Sequence, residues 1–312
     1  MRVMVTGANG FVGANLVAAL VREPGLLVQA LVRQEPGWRL AEVAGRLKVY
    51  PADLLDTKAV NAVWQEARPE IVYHLATYGG YPRQAAVEQI FQTTIFGTLN
   101  VLSASRAAGV KAIVNVGSSS EYGPKDRPMR EDDALSPNTY YGVGKAAQML
   151  LALQFARQEG LPVVGVRIFS AFGPYEEPGR LVPAVIARGL RGEPIEISDP
   201  GNARDFLYIE DVVAALRLAG EHPEYRGEIF NVASGAQHTL AEICELVGEL
   251  LGHPLVVRPG AVARSYDTKQ WLADVSQLRS RLGFAPRYSL RAGLQRTIEW
   301  FRAHPELMNK YP

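Results

Sequence analysis

Met1-Arg2-Val3-Met4-Val5-Thr6-Gly7-Ala8-Asn9-Gly10-Phe11-Val12-Gly13 opens the chain. Arg2–Thr6 is a short, almost continuous apolar run, the pattern of a strand covered on both faces. Glycines at 7, 10 and 13 follow it directly, and Val12–Val21 then carries the apolar spacing of a helix. Each glycine has its own task in such a strand–turn–helix unit. Gly7 permits the tight turn, Gly10 lets backbone approach a pyrophosphate, and Gly13 lets the helix pack closely on the strand. The helix start points N–H groups at the phosphates. The opening therefore predicts a dinucleotide cradle, with Asn9, Phe11 and Val12 among its contacts.

The pattern continues outward from that unit. Strand-like runs at Leu27–Leu31, Leu47–Tyr50, Ile71–Leu75, Ala112–Val116 and Val163–Phe169 alternate with helix-period segments such as Thr94–Ala108. Short apolar strands separated by helices predict an α/β fold with a doubly wound parallel Rossmann sheet. The second half is less regular. Residues 172–204 are rich in Gly, Pro and charge, Gly227–Ala233 reads as a strand returning to the main sheet, and Thr239–Leu251 and Leu290–His304 read as helices. The expected division is a dinucleotide-binding domain of residues 1–171 and 205–234, and a smaller α/β substrate-binding cap of residues 172–204 and 235–312.

Composition narrows the function classes. The 312 residues are 47% hydrophobic and 21% charged with a net charge of +1, ordinary for a soluble globular protein. That balance gives no general attraction to nucleic acid or to an anionic membrane. The single cysteine, Cys244, excludes an intramolecular disulfide and a multi-cysteine zinc site, and no metal is expected. Cys244 lies in an apolar helical stretch, where a buried inert thiol is expected. No signal-peptide pattern and no transmembrane-length apolar run is found, so the expected compartment is the cytoplasm.

The cofactor's identity is read at the second strand. NAD enzymes place an acid there for the ribose 2′-OH. Here the strand ends Gln29-Ala30-Leu31-Val32-Arg33, and Arg33 offers a guanidinium to a 2′-phosphate. NADP is therefore expected, with NAD as the alternative. Asp53 and Leu54 follow the third strand and are assigned to the adenine edge. Leu75, Ala76 and Thr77 end the fourth strand at the ligand-bearing edge of the sheet, whereas His74 reads as a packed strand residue.

The chemistry is read at Tyr141-Gly142-Val143-Gly144-Lys145. Residues four apart share a helix face, and an ammonium beside a phenol favours the phenolate. Such a phenol takes and gives a proton near neutral pH. Ser118 stands at the end of the fifth strand, in Val116-Gly117-Ser118-Ser119-Ser120-Glu121-Tyr122-Gly123, where hydroxyls face the ligand crevice.

With these motifs in this order, the chain resembles the extended short-chain dehydrogenase/reductase family, which acts mainly on nucleotide sugars. The glycine loop, the Ser118–Gly123 run, Tyr141-x-x-x-Lys145, Arg204-Asp205-Phe206-x-Tyr208-x-x-Asp211-Val212 and Arg264-x-x-Asp267 carry the resemblance over nearly the whole chain. It implies that Tyr141 is the general acid/base. Lys145 lowers the Tyr141 pKa and binds the nicotinamide ribose, and Ser118 bonds the reacting oxygen. Tyr140 has no lysine one turn on. The resemblance further implies that Arg204 and Arg264 grip the nucleotide diphosphate, with Ser119, Glu121, Ser170 and Asp267 as further substrate contacts. It also implies a homodimer through a four-helix interface, which suits the apolar faces of Ala86–Ala108 and Gly144–Phe155.

The departures from the family pattern matter as much. Its 4,6-dehydratases carry Asp-Glu after the catalytic Thr, where this chain has Ser119 and Ser120. Its 4-epimerases usually end the second strand with Asp, and they tend to carry Asn where this chain has Ser170. The Gly-Ser-Ser-x-Glu-Tyr-Gly spelling with an arginine-ended second strand is more similar to the 4-keto-6-deoxy-sugar reductases, GDP-4-keto-6-deoxymannose reductase among them, and to the CDP-linked dideoxysugar synthases. The expectation is thus an NADPH-dependent oxidoreductase reducing C4 of a nucleotide-linked 4-keto-6-deoxyhexose. The alternatives are a nucleotide-sugar 4-epimerase with retained NAD and a non-catalytic dinucleotide-binding sensor.

Overall fold

Strands β1 (Arg2–Thr6), β2 (Leu27–Val32), β3 (Lys48–Pro51), β4 (Ile71–His74), β5 (Ala112–Ser118) and β6 (Val163–Ile168) form one sheet with Ile229–Val232. Its order is Ile229–Val232, β6, β5, β4, β1, β2, β3. The pairs from β3 across to β6 are all parallel, and the register sets Thr6 beside Leu31 on one side and His74 on the other. The structure is a computed structural model, and it describes residues 1–81, 84–260 and 269–311. Both faces of the sheet are covered, so β1 and β4–β6 are buried almost throughout, as their unbroken Val and Ile content requires.

The helices that position the site are α1 (Phe11–Leu20), α2 (Thr57–Ala67), α3 (Val87–Phe91), α4 (Gly97–Ala108) and α5 (Tyr140–Glu159). Of residues 94–108, expected as one helix, the first three belong to a π-helical segment, Gln92–Phe96, and only 97–108 form α4. On one face of the sheet Met4, Leu31, Val72, Ile113 and Val163 pack with Val63 and Trp64 of α2, Leu102 of α4 and Ala152 of α5. Trp64 satisfies its indole by donating to Ser105 Oγ at 3.0 Å, as a buried Trp must. No helix among the described residues is long and apolar enough to cross a membrane.

The chain divides into two units. The first is Met1–Gly123, Glu131–Ile168 and Val213–Asn231; the second is Pro124–Arg130, Phe169–Val212 and Val232–Pro312. The sequence pattern assigns residues 169–171, 205–212 and 232–234 to the first. All three fall in the second, the first two because Ser170–Phe172 leaves the main sheet and pairs with Phe206–Tyr208 in a two-stranded sheet of its own. Pro124–Arg130 joins them there, since Met129 bonds the backbone of Leu272 and Asp274 at 2.8 Å each. The second unit also contains helices Leu181–Arg191, Leu240–Leu251 and Leu290–Ala303. Thr239 and Glu242 cap the second of these reciprocally. Cys244 is buried in that helix, and burial raises its thiol to about 11, so it stays protonated.

Candidate active site

The glycine loop joins β1 to α1. Gly7 has φ +71°, and a Cβ there would sit 2.7 Å from the Ala76 nitrogen and the Leu75 carbonyl carbon. A Cβ on Gly13 would sit 2.2 Å from the Gly7 oxygen. Side chains are excluded at both positions by backbone. Gly10 caps α1 with no side-chain hydrogen bond, so the first-turn N–H groups of α1 are left to an anion. This cradle fits a dinucleotide pyrophosphate. Phe11 is buried, whereas Asn9 and Val12 are half-buried.

Asn9 does more than line the cradle. Its Oδ1 accepts from Gly37 N at 2.8 Å and its Nδ2 donates to the Glu35 carbonyl at 3.3 Å. The loop after β2 is thereby tied to the glycine loop. Arg33, at the head of that loop, is exposed. Asp53 is exposed, with its carboxylate accepting from Leu55 N at 2.9 Å, and the Leu54 side chain is packed in the core. Leu75, Ala76 and Thr77 are half-buried beyond the end of β4.

His74 is enclosed between two threonines, 2.7 Å from Thr6 Oγ1 and 2.8 Å from Thr98 Oγ1. Thr98 donates its own hydrogen to the Thr94 carbonyl, 2.6 Å away. Nε2 of His74 must then donate to Thr98 and Nδ1 accept from Thr6. Burial first, then the Lys145 charge, takes the His74 pKa down to about 3, so the ring is neutral. Thr6 Oγ1 in turn accepts from Ala76 N at 3.3 Å. A chain of oriented bonds thus runs from the π-helical turn to the turn after β4. It spans 68 and 24 positions in sequence, so no local pattern pointed to it.

Tyr141 lies in the first turn of α5, whose N-terminus is capped by Thr139 Oγ1 accepting from Gly142 N at 3.0 Å. The Tyr141 ring faces the turn at Gly80, where a Cβ would lie 3.7 Å from it. Its neighbour Tyr140 is 62% exposed. Lys145, one turn on, is buried; its Nζ donates to the Val116 carbonyl at 2.5 Å and to Gln148 Oε1. Burial brings the Lys145 pKa down to about 8, with the Glu121 charge holding it up. Ser118 is half-buried at the end of β5, and its Oγ accepts from Ser120 N at 3.2 Å. That leaves the Ser118 hydroxyl hydrogen available for donation.

Glu121, expected at the substrate, is elsewhere. Its carboxylate is fully enclosed: Oε1 accepts from Ser118 N at 2.8 Å and Oε2 from Arg167 Nε at 2.7 Å. Arg167 also stacks 4.5 Å from the centre of the Tyr122 ring and donates to the Glu131 carbonyl at 3.1 Å. Tyr122 continues the network, donating to Asn231 Oδ1 at 2.7 Å. Burial raises the Glu121 pKa against the pull of Arg167, the Ser118 N–H and Lys145. Two neighbouring charges and an amide make this carboxylate an anchor for Ser118. Ser119 is buried and Ser120 half-buried beside it.

In the second unit, Ser170 begins its short strand and is half-buried. Arg204 is half-buried and lies 6.0 Å from the centre of the Trp271 ring. The residue next to it in the same motif, Asp205, organises this region, a role that the sequence did not assign to it. Its buried carboxylate accepts from Ser234 N and Oγ at 2.8 and 2.6 Å, Gly235 N at 3.1 Å and Ala273 N at 3.3 Å. Arg264 and Asp267 lie outside the described residues.

Comparison with known proteins agrees with this geometry. MoeE5, solved with UDP-glucose and NAD and also with UDP-glucuronic acid and NAD, is 34% identical; the former structure superposes with a TM-score of 0.87 over 98% of this chain and 100% of its own. The UDP-glucose 4-epimerase of Thermotoga maritima, solved with UDP-glucose, is 28% identical with a TM-score of 0.88 over 98% of this chain and 100% of its own. A dTDP-glucose 4,6-dehydratase of Streptomyces antibioticus is 29% identical over 97% of this chain and 92% of its own. The sequence pattern of one family runs from β1 through the strand that closes the sheet beside β6, matching residues 3–233. Enclosing the glycine cradle and the Ser118, Tyr141 and Lys145 positions, that match places the chain in the NAD dependent epimerase/dehydratase family.

Proposed function

We propose that this protein is a nucleotide-sugar 4-epimerase that retains its NAD. The observation that carries the reading is the end of β5: Ser118, Ser119 and Ser120 supply hydroxyls, and the one carboxylate of the run, Glu121, is taken up by Arg167 and the Ser118 amide. Eliminating water from the sugar needs an acid and a base beyond Tyr141, and this run offers neither. A redox-neutral inversion at C4 needs only one proton carrier and one hydride carrier. The complexes of MoeE5 with UDP-sugars and NAD support this substrate class.

Bound NAD supplies reversible hydride acceptance. Tyr141, as phenolate, takes the proton of the C4 hydroxyl, and as phenol returns it once the sugar has turned its other face. Lys145 holds the phenolate form with its charge. Ser118 donates its free hydroxyl hydrogen to the oxygen on C4 while that oxygen is a carbonyl. Arg204 meets the diphosphate with its guanidinium. The test is to supply UDP-glucose and, separately, UDP-glucuronic acid with no added cofactor, and to follow the C4 epimers by NMR. Interconversion is expected. No epimer from either, together with NADPH consumption by a nucleotide-linked 4-keto-6-deoxyhexose, would replace this reading with the reductase.

One observation favours that second reading: exposed Arg33 stands where NAD enzymes carry an acid. If Arg33 binds a 2′-phosphate, Arg33→Ala weakens NADPH binding by about 1–3 kcal/mol and leaves NADH unchanged. No loss for either cofactor assigns Arg33 to the solvated surface, and equal loss for both, or wild-type preference for NADH, removes the 2′-phosphate role and leaves NAD in place.

The protein is also proposed to be a homodimer. Phe96 (56%), Leu99 (37%), Val143 (41%) and Leu150 (57%) leave large apolar side chains exposed on the segments around α4 and α5, more than scattered surface residues account for. Light scattering is expected to return twice the chain mass, and a concentration-independent monomer mass would refute it.

A further inference from the structure

Lys145 has a companion on its own helix. Tyr141, Lys145 and Gln148 stand four and three positions apart on α5, an interval that puts side chains on one face. Lys145 is 2% exposed and Gln148 is fully enclosed. An ammonium only donates, so Gln148 must present its amide oxygen to Lys145 and turn its NH2 away. That NH2 donates to Asn115 Oδ1 at 3.2 Å. Asn115, oriented in turn, sends its own NH2 to the Met149 sulfur at 3.6 Å. Together with the Val116 carbonyl, Gln148 uses two of the three ammonium hydrogens. One is left for Tyr141 and the ribose.

From this geometry we infer that Gln148, oriented by Asn115, is the positioning residue of the catalytic lysine: its amide oxygen holds the Lys145 ammonium charged and in place without neutralising it. The inference rests on the roles proposed above for Tyr141 and Lys145. A carboxylate at 148 would cancel the charge that Tyr141 requires. An apolar residue would leave the ammonium a single acceptor in a site where burial already favours the neutral amine. The titratable groups coupled to Lys145 are Glu121 from the turn after β5 and neutral His74 from β4, and Tyr141 stands one turn earlier on α5 itself. Arg167 on β6 stands behind Glu121. Ile90, Phe91 and Thr94, which meet α5 at Gly144, carry no charge, and neither do Asn115 and Val116 of β5. Glu121 is engaged by Arg167 and Ser118, which leaves the Gln148 amide as the side-chain acceptor for the ammonium. With the Lys145 pKa already near 8, losing that acceptor takes it lower still. Neutral amine then accumulates at neutral pH and the Tyr141 pKa rises.

The test follows the Tyr141 phenol directly and needs no substrate. Tyrosinate absorbance in the near ultraviolet is titrated against pH, and the same titration of Tyr141→Phe is subtracted. Gln148→Met is expected to raise the Tyr141 midpoint by about one pH unit, a tenfold change in proton affinity. In a Lys145→Met background the same substitution is expected to leave the midpoint where it is, because the effect travels through the ammonium. An unmoved midpoint in Gln148→Met, or an equal shift in both backgrounds, overturns the inference. If Gln148→Met does not fold by circular dichroism, Asn115→Leu, which removes the acceptor that orients the Gln148 amide, replaces it in both backgrounds: a raised midpoint that depends on Lys145 supports the inference, and an unmoved or Lys145-independent one overturns it. A protein that turns over neither UDP-sugars nor a ketosugar still gives this titration, so failure of the functional reading shows separately.

Discussion

Tyr141→Phe is expected to lower turnover of a nucleotide sugar by about 10²–10⁴-fold, the range that a positioned proton carrier contributes. The phenol oxygen is the only atom removed. The ring keeps its place against the turn at Gly80, and α5 keeps its Thr139 cap and its buried Lys145. Dinucleotide affinity is therefore expected to stay close to wild type. The measurement pairs kcat with the cofactor Kd on the same preparation. A kcat within about tenfold of wild type would remove the acid/base role from Tyr141. A fall in both values would mean that the substitution disturbed the fold around α5 instead.

The largest effect on stability is expected from Arg167→Met. Arg167 and Glu121 are 3% and 0% exposed at their side chains and 2.7 Å apart. Removing the cation strands a buried carboxylate, which costs about 3–5 kcal/mol. The sign with pH follows from the folded-state pKa of Glu121, which burial raises and which rises further once Arg167 is gone. The folded variant then holds a proton that the unfolded chain has released, so its stability falls as pH rises through that interval. The defect should be largest near pH 8 and shrink as the pH drops toward the ordinary carboxylate range of about 4. Urea unfolding at several pH values measures it. The double variant Arg167→Met, Glu121→Leu should recover much of the loss, because it removes both charges together. A single variant as stable as wild type would show that the pair is not a buried ion pair in solution. Activity of the single variant should fall as well, since Glu121 holds the amide of Ser118.

The parts of the site readable from sequence are those whose physical cause lies within a few residues. Gly7, Gly10 and Gly13 follow one another on a strand-to-helix turn, and a Cβ on Gly10 or Gly13 would crowd the Gly7 carbonyl a few residues away. Tyr141 and Lys145 share a face because helix geometry alone puts residues four apart together. The alternation of apolar strands and helices likewise announced the parallel sheet, because a strand buried on both faces must be apolar at every position.

The functions of Glu121, Gln148 and the β-strand at Ser170 had to wait for the tertiary structure. Glu121 sits in a motif that reads as substrate-facing, yet Arg167, 46 positions away, turns its carboxylate inward. Gln148 acquires meaning only when β5 brings Asn115 across 33 positions to set its amide. Ser170–Phe172 continues the apolar run of β6, and nothing local distinguishes the two until Phe206–Tyr208 pairs with the later one. By itself, then, the chain determined the sheet, the cradle and the tyrosine–lysine pair, because these depend on local backbone geometry and periodicity. Which carboxylate is buried, which amide orients the ammonium, and where one unit ends were decided by tertiary contacts. A buried polar group must take whatever partner the fold brings to it, and that partner lies far away in sequence.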